Sequence, residues 1–280
     1  MSDMIAGEIG TKEHLVRSTT IQTPFNFPSH ALKDEETKIV VFCIPTISKP
    51  YQVCLDSLKN SIPLLQAAGW TDYMVCQIGC PYISAARSMM LRKALDVKAD
   101  VVVFIDHDMS WEPENLLKLI ETEGDVVSGT YRFKGEPAEY MGALFQYPKG
   151  SKNAEGRDIG GTPIVREDGC IKAHSIPAGF LKVTRKAVNK FINEYPELTY
   201  GEKCSPMVDL FNHGTIDHVW YGEDYAFAKR WNDKCGDIWI IPDMNLNHHS
   251  SDGTEYKGNF HEFMLAQPGG SNDPKLNAEG

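Results

Sequence analysis

The stretch VVVFIDHDMSW (residues 101–111) decides the fold, because it joins an apolar strand directly to two carboxylates. The run from Val101 to Ile105 is uninterrupted and of strand length, which is typical of a strand buried on both faces of a parallel sheet. Asp106 and Asp108 follow at once. Ligands of open α/β sheets bind at the carboxyl ends of the strands. The sequence therefore predicts a ligand site at the end of this strand.

Strand and helix patterns alternate on both sides of this stretch. The predicted elements are strands over 38–45, 72–79, 101–106 and 125–133 and helices over 53–69, 83–97 and 113–121. Such alternation implies βαβ units and a mainly parallel sheet with helices on both faces. Residues 37–134 are therefore predicted to form a Rossmann-like, nucleotide-binding half.

After this half the rhythm changes to Gly- and Pro-rich connections. The patterns there predict a strand over 173–184, helices over 185–195 and 221–236, and a last pair of strands within 237–250. No linker separates the halves, so we expect one α/β domain over 37–266, in which a mixed sheet continues into a smaller antiparallel part. An irregular segment over 1–36 and a flexible tail over 267–280 are expected to flank it.

The composition limits the classes of function. The chain has 280 residues and a formal charge of −10, and no run of Lys or Arg exceeds two residues. This charge pattern disfavours a protein that binds nucleic acid through its phosphate backbone. Seven scattered cysteines favour reduced thiols over a disulfide framework. The sequence has no run of ~20 apolar residues and no apolar leader. We expect a cytoplasmic globular protein without a membrane span.

The strand-end carboxylates predict a metal site. Two carboxylates separated by one residue, such as Asp106 and Asp108, can converge on one Mn²⁺ or Mg²⁺ ion and on phosphates that it binds. Capping of the next turn is the alternative role. His248, on the inward face of the last predicted strand, is a possible nitrogen ligand to the same metal, with His249 as the alternative.

Three further positions stand out as candidates. Glu223 and Asp224 open a predicted helix, where acids suit the helix dipole, but the rigid aromatic surroundings also suit a general base. Arg87, at a helix start, is either a cation for a diphosphate or a solvated surface residue. Gly179 either allows the close approach of a substrate or forms an ordinary turn. Walker A, G-x-G-x-x-G and G-x-S-x-G motifs do not occur, which counts against kinase, dehydrogenase and hydrolase functions.

Seven pieces in order resemble the A-type-fold, family-2-like glycosyltransferases of bacteria and of large viruses or phages. They are CIPT (43–46), ISAAR (83–87), FIDHDMSW (104–111), VVSGTYRFK (126–134), IPAGFLKVTRKAV (176–188), YGEDYAFAKR (221–230) and the His after IPDMNLN (241–247). The resemblance covers about residues 38–262. One departure is Arg87-Ser88, where similar enzymes often have Arg-Asn.

The resemblance implies a role for each matching residue. On the donor side, Pro45 and Thr46 would line the nucleotide pocket, and Arg87 would lie near the donor. Asp106 would reach the ribose or the metal, and Asp108 and His248 would bind the metal. On the acceptor side, Gly179 would lie at the acceptor wall, Tyr131 and Arg132 would contact substrate, and Asp224, beside Glu223, would be the general base. His249 keeps the second metal ligand ambiguous.

The resemblance implies a metal-dependent hexosyl- or pentosyltransferase. It would move a sugar from a nucleotide-diphosphate sugar to an acceptor hydroxyl, with inversion at the anomeric carbon. UDP would be the nucleotide of the donor, because it is the most frequent one among similar enzymes. A Mg²⁺-dependent nucleotidyltransferase and a non-catalytic nucleotide- or sugar-binding module remain the alternatives. A glycan, a lipid-linked sugar, a protein and a modified DNA base all remain open as acceptors, with lipid and nucleic acid less favoured. The sequence does not indicate the oligomeric state.

Overall fold

The computed structural model describes residues 37–202 and 205–267. Within them lie a large mixed sheet of eight strands, helices on both of its faces and three smaller sheets. The mixed α/β architecture expected from the sequence is thus confirmed. The segment expected over 1–36 lies outside the described residues, and so does the tail expected over 267–280, apart from Gln267.

Strands alternate with helices through the first half and become frequent and short in the second. The strands are β1 (Lys38–Thr46), β2 (Trp70–Ile78), β3 (Val101–Ile105), β4 (Met109–Trp111), β5 (Val126–Gly129), β6 (Ala143–Leu144), β7 (Ile171–Ser175), β8 (Phe180–Thr184), β9 (Thr199–Glu202), β10 (Ser205–Val208), β11 (Gly214–Ile216), β12 (Val219–Tyr221), β13 (Trp239–Ile241), β14 (Leu246–His249) and β15 (Glu255–Tyr256). The helices are α1 (Gln52–Ala67), α2 (Ile83–Asp96), α3 (Pro113–Glu121), α4 (Arg185–Glu194), α5 (Glu223–Arg230) and α6 (Phe260–Ala266).

The central sheet has the order β2-β1-β3-β8-β5-β13-β7-β6. β1 pairs in parallel with β2 and β3, whereas β8 runs antiparallel between β3 and β5. β3 and β5 therefore point the same way without touching, because β8 lies between them. The parallel strands predicted for the first half are present, and the antiparallel β8 makes the whole sheet mixed, as predicted.

Each face of the sheet carries its own apolar core. Buried side chains of α2, α4 and α5 pack on one face together with Val41 and Phe104, and those of α1 and α3 pack on the other with Phe42 and Val103. Alternate residues of β1 and β3 thus enter opposite cores, as the period of a strand requires. This explains why both strands are apolar without interruption.

Most predicted elements appear within a few residues of their expected bounds, and two differ in kind. The single strand predicted over 173–184 is two strands, β7 and β8, separated in the sheet by β5 and β13. Pro177 and Gly179 interrupt the apolar pattern between them. The helix predicted over 221–236 is α5 followed by a π-helical turn, Trp231–Cys235, which ends at Gly236. Pro63 lies inside α1, which continues through it.

A small sheet brings the end of the chain to the end of β3. β14 pairs antiparallel with β4, so that His248 lies opposite Met109. β8 begins opposite the last residue of β3, and the backbone N–H of Asp106 donates to the carbonyl of Gly179 at 3.0 Å. Three distant segments therefore meet around Asp106 and Asp108.

Candidate functional site

A cleft of about 290 Å³ opens at the carboxyl ends of β1 and β3; we call it the main cleft. Its lining residues are Pro45, Thr46, Ile47, Cys80, Pro81, Ile83, Asp106, His107, Asp108 and His248. Five predicted site residues, Pro45, Thr46, Asp106, Asp108 and His248, are thereby brought together. The position agrees with the rule that ligands of open α/β sheets bind beyond the carboxyl ends of the strands.

Asp106 is the centre of a partly buried hydrogen-bond network. Its Oδ1 accepts from Nη2 of Arg87 at 3.1 Å, and its Oδ2 accepts from Oη of Tyr131 at 2.9 Å. The other terminal nitrogen of Arg87 donates to Oε1 of Glu223 at 2.7 Å. Burial acts against the charge of Arg87, but the negative charges of Asp106 and Glu223 outweigh it and raise the pKa of the guanidinium. One cation thus joins the end of β3 to the start of α5.

This network changes the interpretation of Arg87. Its side chain is 2% exposed, so it is not a solvated surface residue. Both terminal nitrogens already bind carboxylates, and the ring of Phe211 lies 4.9 Å from the guanidinium carbon. The expected position near the donor site stands as a prediction, but the geometry suits a residue that positions Asp106 and Glu223.

Asp108 lies beside two cationic or basic groups. Its Oδ2 accepts from Nζ of Lys134, and Nε2 of His248 lies 3.5 Å from the same oxygen. Burial disfavours the charge of Asp108, but the adjacent His248 and the ammonium of Lys134 outweigh it and hold the pKa of this carboxyl well below its usual range. Asp108 is therefore an anion at neutral pH.

The orientation of His248 fits a metal ligand. Its Nδ1 lies 2.9 Å from the carbonyl oxygen of Arg132, which can only accept, so this nitrogen carries the proton in the neutral ring. Nε2 then presents its lone pair toward Asp108, and a backbone carbonyl holds the other ring nitrogen, as in many metal sites. His249 instead lies 2.8 Å from Oγ of Ser110 and does not line the main cleft. The geometry therefore favours His248 over His249.

The residues fit a divalent cation with two protein ligands. A carboxylate oxygen of Asp108 and Nε2 of His248 converge, and the ammonium of Lys134 already lies against that oxygen as a stand-in for a cation. Both oxygens of Asp106, in contrast, are used by Arg87 and Tyr131. Over residues 37–202 and 205–267, no group of three or more His, Cys, Asp and Glu side chains is placed to hold a metal ion.

One short segment after β5 supports three site residues. Tyr131 donates to Asp106, the carbonyl of Arg132 holds His248, and Lys134 donates to Asp108. The side chain of Arg132, predicted to contact substrate, donates to Oε1 of Glu136 at 2.7 Å and is not among the residues that line the main cleft. Burial, followed by the charge of Asp106, raises the pKa of Tyr131 well above its usual value, so its phenol remains a donor.

Lys134 is the site residue that the sequence reasoning missed. It lies within the VVSGTYRFK stretch of the family resemblance, but a lysine after a strand usually solvates a surface. Its contact with Asp108 joins residues 26 positions apart, and it depends on how the chain returns after β5. The alternation of Tyr131 and Phe133 with polar neighbours was the only local signal.

Gly179 is required by the packing of the network. A Cβ at this position would overlap Oη of Tyr131 and the carboxylate of Asp106. The lack of a side chain therefore makes room for the Tyr131–Asp106 hydrogen bond. This explains the glycine without reference to an acceptor, and the acceptor-wall role stays a prediction.

The carboxylates at the start of α5 differ in their surroundings. Glu223 is paired with Arg87, whereas Oδ1 of Asp224 accepts only from the adjacent N–H of Tyr225, at 2.8 Å, among the hydrogen bonds described. Burial, and then the negative charge of Glu223, raise the pKa of Asp224 to about 6; the charge of Asp106 adds to the rise. Asp224 thus lies within electrostatic reach of the main cleft and titrates near neutral pH, as a general base requires.

No protein-family model and no curated protein sequence matches the chain. Among solved structures, it is similar to A197 from STIV, with 14% identity, a TM-score of 0.42, and coverage of 79% of this chain and 94% of that one. It is also similar to GalNAc-T7, solved with UDP, GalNAc and Mn²⁺ (11%, 0.41, 77% and 44%), and to S. aureus TarS 1–349 (14%, 0.38, 81% and 63%). This chain thus spans less than two thirds of the latter two chains.

Identities of 11 to 14% and TM-scores of 0.38 to 0.42 carry no conclusion about the activity, which has to be argued from the residues. Across the described helices, none is both long and apolar enough to traverse a lipid bilayer.

Proposed function

We propose that the protein transfers a sugar from a nucleotide-diphosphate sugar to an acceptor hydroxyl. The observation that carries this proposal is the convergence of Asp108 and His248 on one point of the main cleft, with a carboxylate of raised pKa, Asp224, at the adjoining helix start. Such a site would bind phosphate oxygens through the cation and would accept the proton of a hydroxyl group.

Asp108 and His248 would hold the Mn²⁺ or Mg²⁺ ion. Two protein ligands suit such an ion, because it usually retains water and takes further oxygens from substrate phosphates. When bound, it would supply electrostatic stabilisation of the negative charge that develops on the departing nucleoside diphosphate. Asp106 is the less suitable ligand, since Arg87 and Tyr131 occupy its oxygens.

The nucleotide would lie along the ends of β1 and β3. Pro45 and Thr46 line the main cleft there, and among the described residues no group bonds to the buried Oγ1 of Thr46. A buried hydroxyl without a partner is costly unless a ligand satisfies it. UDP is the nucleotide that we propose, on the strength of the sequence resemblance.

Asp224 would act as the general base. Above about pH 6 it is ionised and can accept the proton of the acceptor hydroxyl. Arg87 would hold the start of α5 through Glu223, so that the base keeps its position relative to Asp106. Attack by the acceptor from the face opposite the diphosphate would invert the anomeric carbon.

The test is incubation with a panel of nucleotide sugars and Mn²⁺, followed by analysis of the products. We expect slow release of nucleoside diphosphate, which Asp108→Asn abolishes. Asp224→Asn should lose transfer to an added acceptor and still bind the donor in a thermal-shift assay. Release of pyrophosphate would instead indicate a nucleotidyltransferase, and binding without turnover a non-catalytic module; either result would refute the proposal.

A further inference from the structure

Three of the exposed large apolar side chains lie at the main cleft: Ile47, Tyr82 and Ile83. Within the described part of the chain the whole set of such side chains comprises Ile47, Val53, Tyr82, Ile83, Phe133, Tyr200, Val219 and Trp220. Ile47 and Ile83 line the cleft, and Tyr82 lies between two lining residues. Trp220 and Tyr82 are the most exposed, at 69% each. Large apolar side chains that are exposed beside a cleft are a common feature of binding surfaces.

A chain of contacts connects Trp220 to the lip of the main cleft. Ile83 lines the cleft at the start of α2, and Oγ of the next residue, Ser84, lies 3.4 Å from Nδ1 of His213. The ring of His213 in turn meets the ring of Trp220 edge to face, with centroids 6.0 Å apart. Trp220 also precedes Asp224 by only four residues, across the junction of β12 and α5.

The hairpin that carries Trp220 is held in a fixed conformation. β11 and β12 pair antiparallel, and both turn residues, Asp217 and His218, have left-handed φ values of 50° and 66°. Tight two-residue turns of this kind match the twist of a hairpin, although residues other than glycine pay in strain. Asp217 also lies 3.5 Å from Nζ of Lys229 on α5. Trp220 thus lies on a hairpin that an ion pair connects to α5.

The chemistry of this surface selects its ligand. The face of an indole ring is negative and attracts the C–H groups of a sugar ring, while neighbouring carboxylates accept bonds from sugar hydroxyls. Glu223 and Asp224 supply the carboxylates, and the formal charge of −10 opposes the approach of polyanions such as nucleic acid or anionic lipid. A neutral carbohydrate satisfies both the aromatic and the acidic groups.

We propose, on the basis of the transferase function above, that the acceptor is a neutral carbohydrate whose ring stacks on Trp220. The acceptor oxygen forms a bond to the anomeric carbon of the donor as the bond from that carbon to the diphosphate oxygen breaks. The hydroxyl proton passes to Asp224, and the electron pair of the broken bond leaves with the nucleoside diphosphate. Trp220 takes no part in these bond changes and orients the acceptor.

The test measures sugar transfer to a panel of neutral methyl glycosides and short oligosaccharides with Trp220→Ala, Trp220→Phe and wild type. Loss of one stacking contact of about 1.4 kcal/mol should raise the acceptor KM about tenfold in the Ala variant. The acceptor KM of the Phe variant should lie close to that of the wild type. Tyr200→Ala, which removes an exposed aromatic from another hairpin, is the matched control and should leave the acceptor KM within twofold.

Three outcomes would overturn the acceptor proposal. They are an unchanged acceptor KM in Trp220→Ala, the absence of any neutral carbohydrate acceptor, and transfer to oligonucleotides or anionic vesicles in preference to the glycosides. If the wild type still releases nucleoside diphosphate from a donor in these cases, the transferase proposal survives and only the acceptor inference falls. If no donor is turned over, both fall together.

Discussion

Replacement of Lys134 by Met should make the protein bind Mn²⁺ more tightly in the absence of nucleotide. The Lys134 ammonium bonds to the Oδ2 of Asp108 that faces His248, so a metal ion has to displace it. A hydrogen bond between charged groups contributes about 1.5–3 kcal/mol, and the 32% exposure of Lys134 favours the low end through solvent screening. Removal of a competitor worth about 1.4 kcal/mol raises the apparent affinity about tenfold.

Isothermal titration with MnCl₂ at pH 7.5 would measure this change without any turnover. Lys186→Met is the matched control, because it removes the same charge from an ion pair with Asp125, at the opposite end of the sheet. We expect about tenfold tighter binding for Lys134→Met, a change below twofold for the control and loss of binding for Asp108→Asn. Unchanged or weaker binding in Lys134→Met would refute the competition argued from the contact.

Three further predictions concern stability. Asp224→Asn should stabilise the fold at pH 7.5 by up to about 3 kcal/mol and not at pH 4, because a native pKa of about 6, raised from 3.8, makes ionisation destabilising as the pH rises through that range. Urea unfolding at both pH values checks this, and equal effects would contradict it. Arg87→Met should cost about 3–5 kcal/mol, since two carboxylates lose their shared cation. Arg92→Met, in an exposed ion pair on the same helix, should cost below about 1 kcal/mol, and similar losses would contradict the role of burial. Gly179→Ala should cost about 1–3 kcal/mol by overlap, whereas Gly222→Ala, whose Cβ has an ordinary contact at 3.7 Å, should cost less; the reverse order in urea midpoints would contradict the packing argument.

Local sequence patterns predicted the parts of the fold that depend on local physics. The apolar runs of β1 and β3 require burial on both faces, and the two carboxylates after β3 lie at the edge where open α/β sheets usually bind ligands. The insertion of β8 between β3 and β5 could not be predicted in the same way. An antiparallel and a parallel neighbour bury the same apolar side chains, so the pattern does not distinguish them.

The candidate site shows the same division between local and distant information. Asp106 and Asp108 were predicted from neighbouring residues, whereas the burial of Arg87 depends on carboxylates 19 and 136 positions away in the chain. An arginine in a helix normally faces water. The preference for His248 over His249 likewise depends on the pairing of β14 with β4, which fixes the histidine that faces Asp108.

Arg87 joins the two halves of the proposed mechanism. It contacts Asp106 at the predicted donor side and Glu223 at the helix that carries the proposed base, through two different nitrogens of one buried guanidinium. A lysine could reach one carboxylate but would lack the planar fork that reaches both. A displacement of the strand end would therefore pull on the start of α5. The donor groups and the base would keep a fixed spacing, which a direct displacement at the anomeric carbon requires.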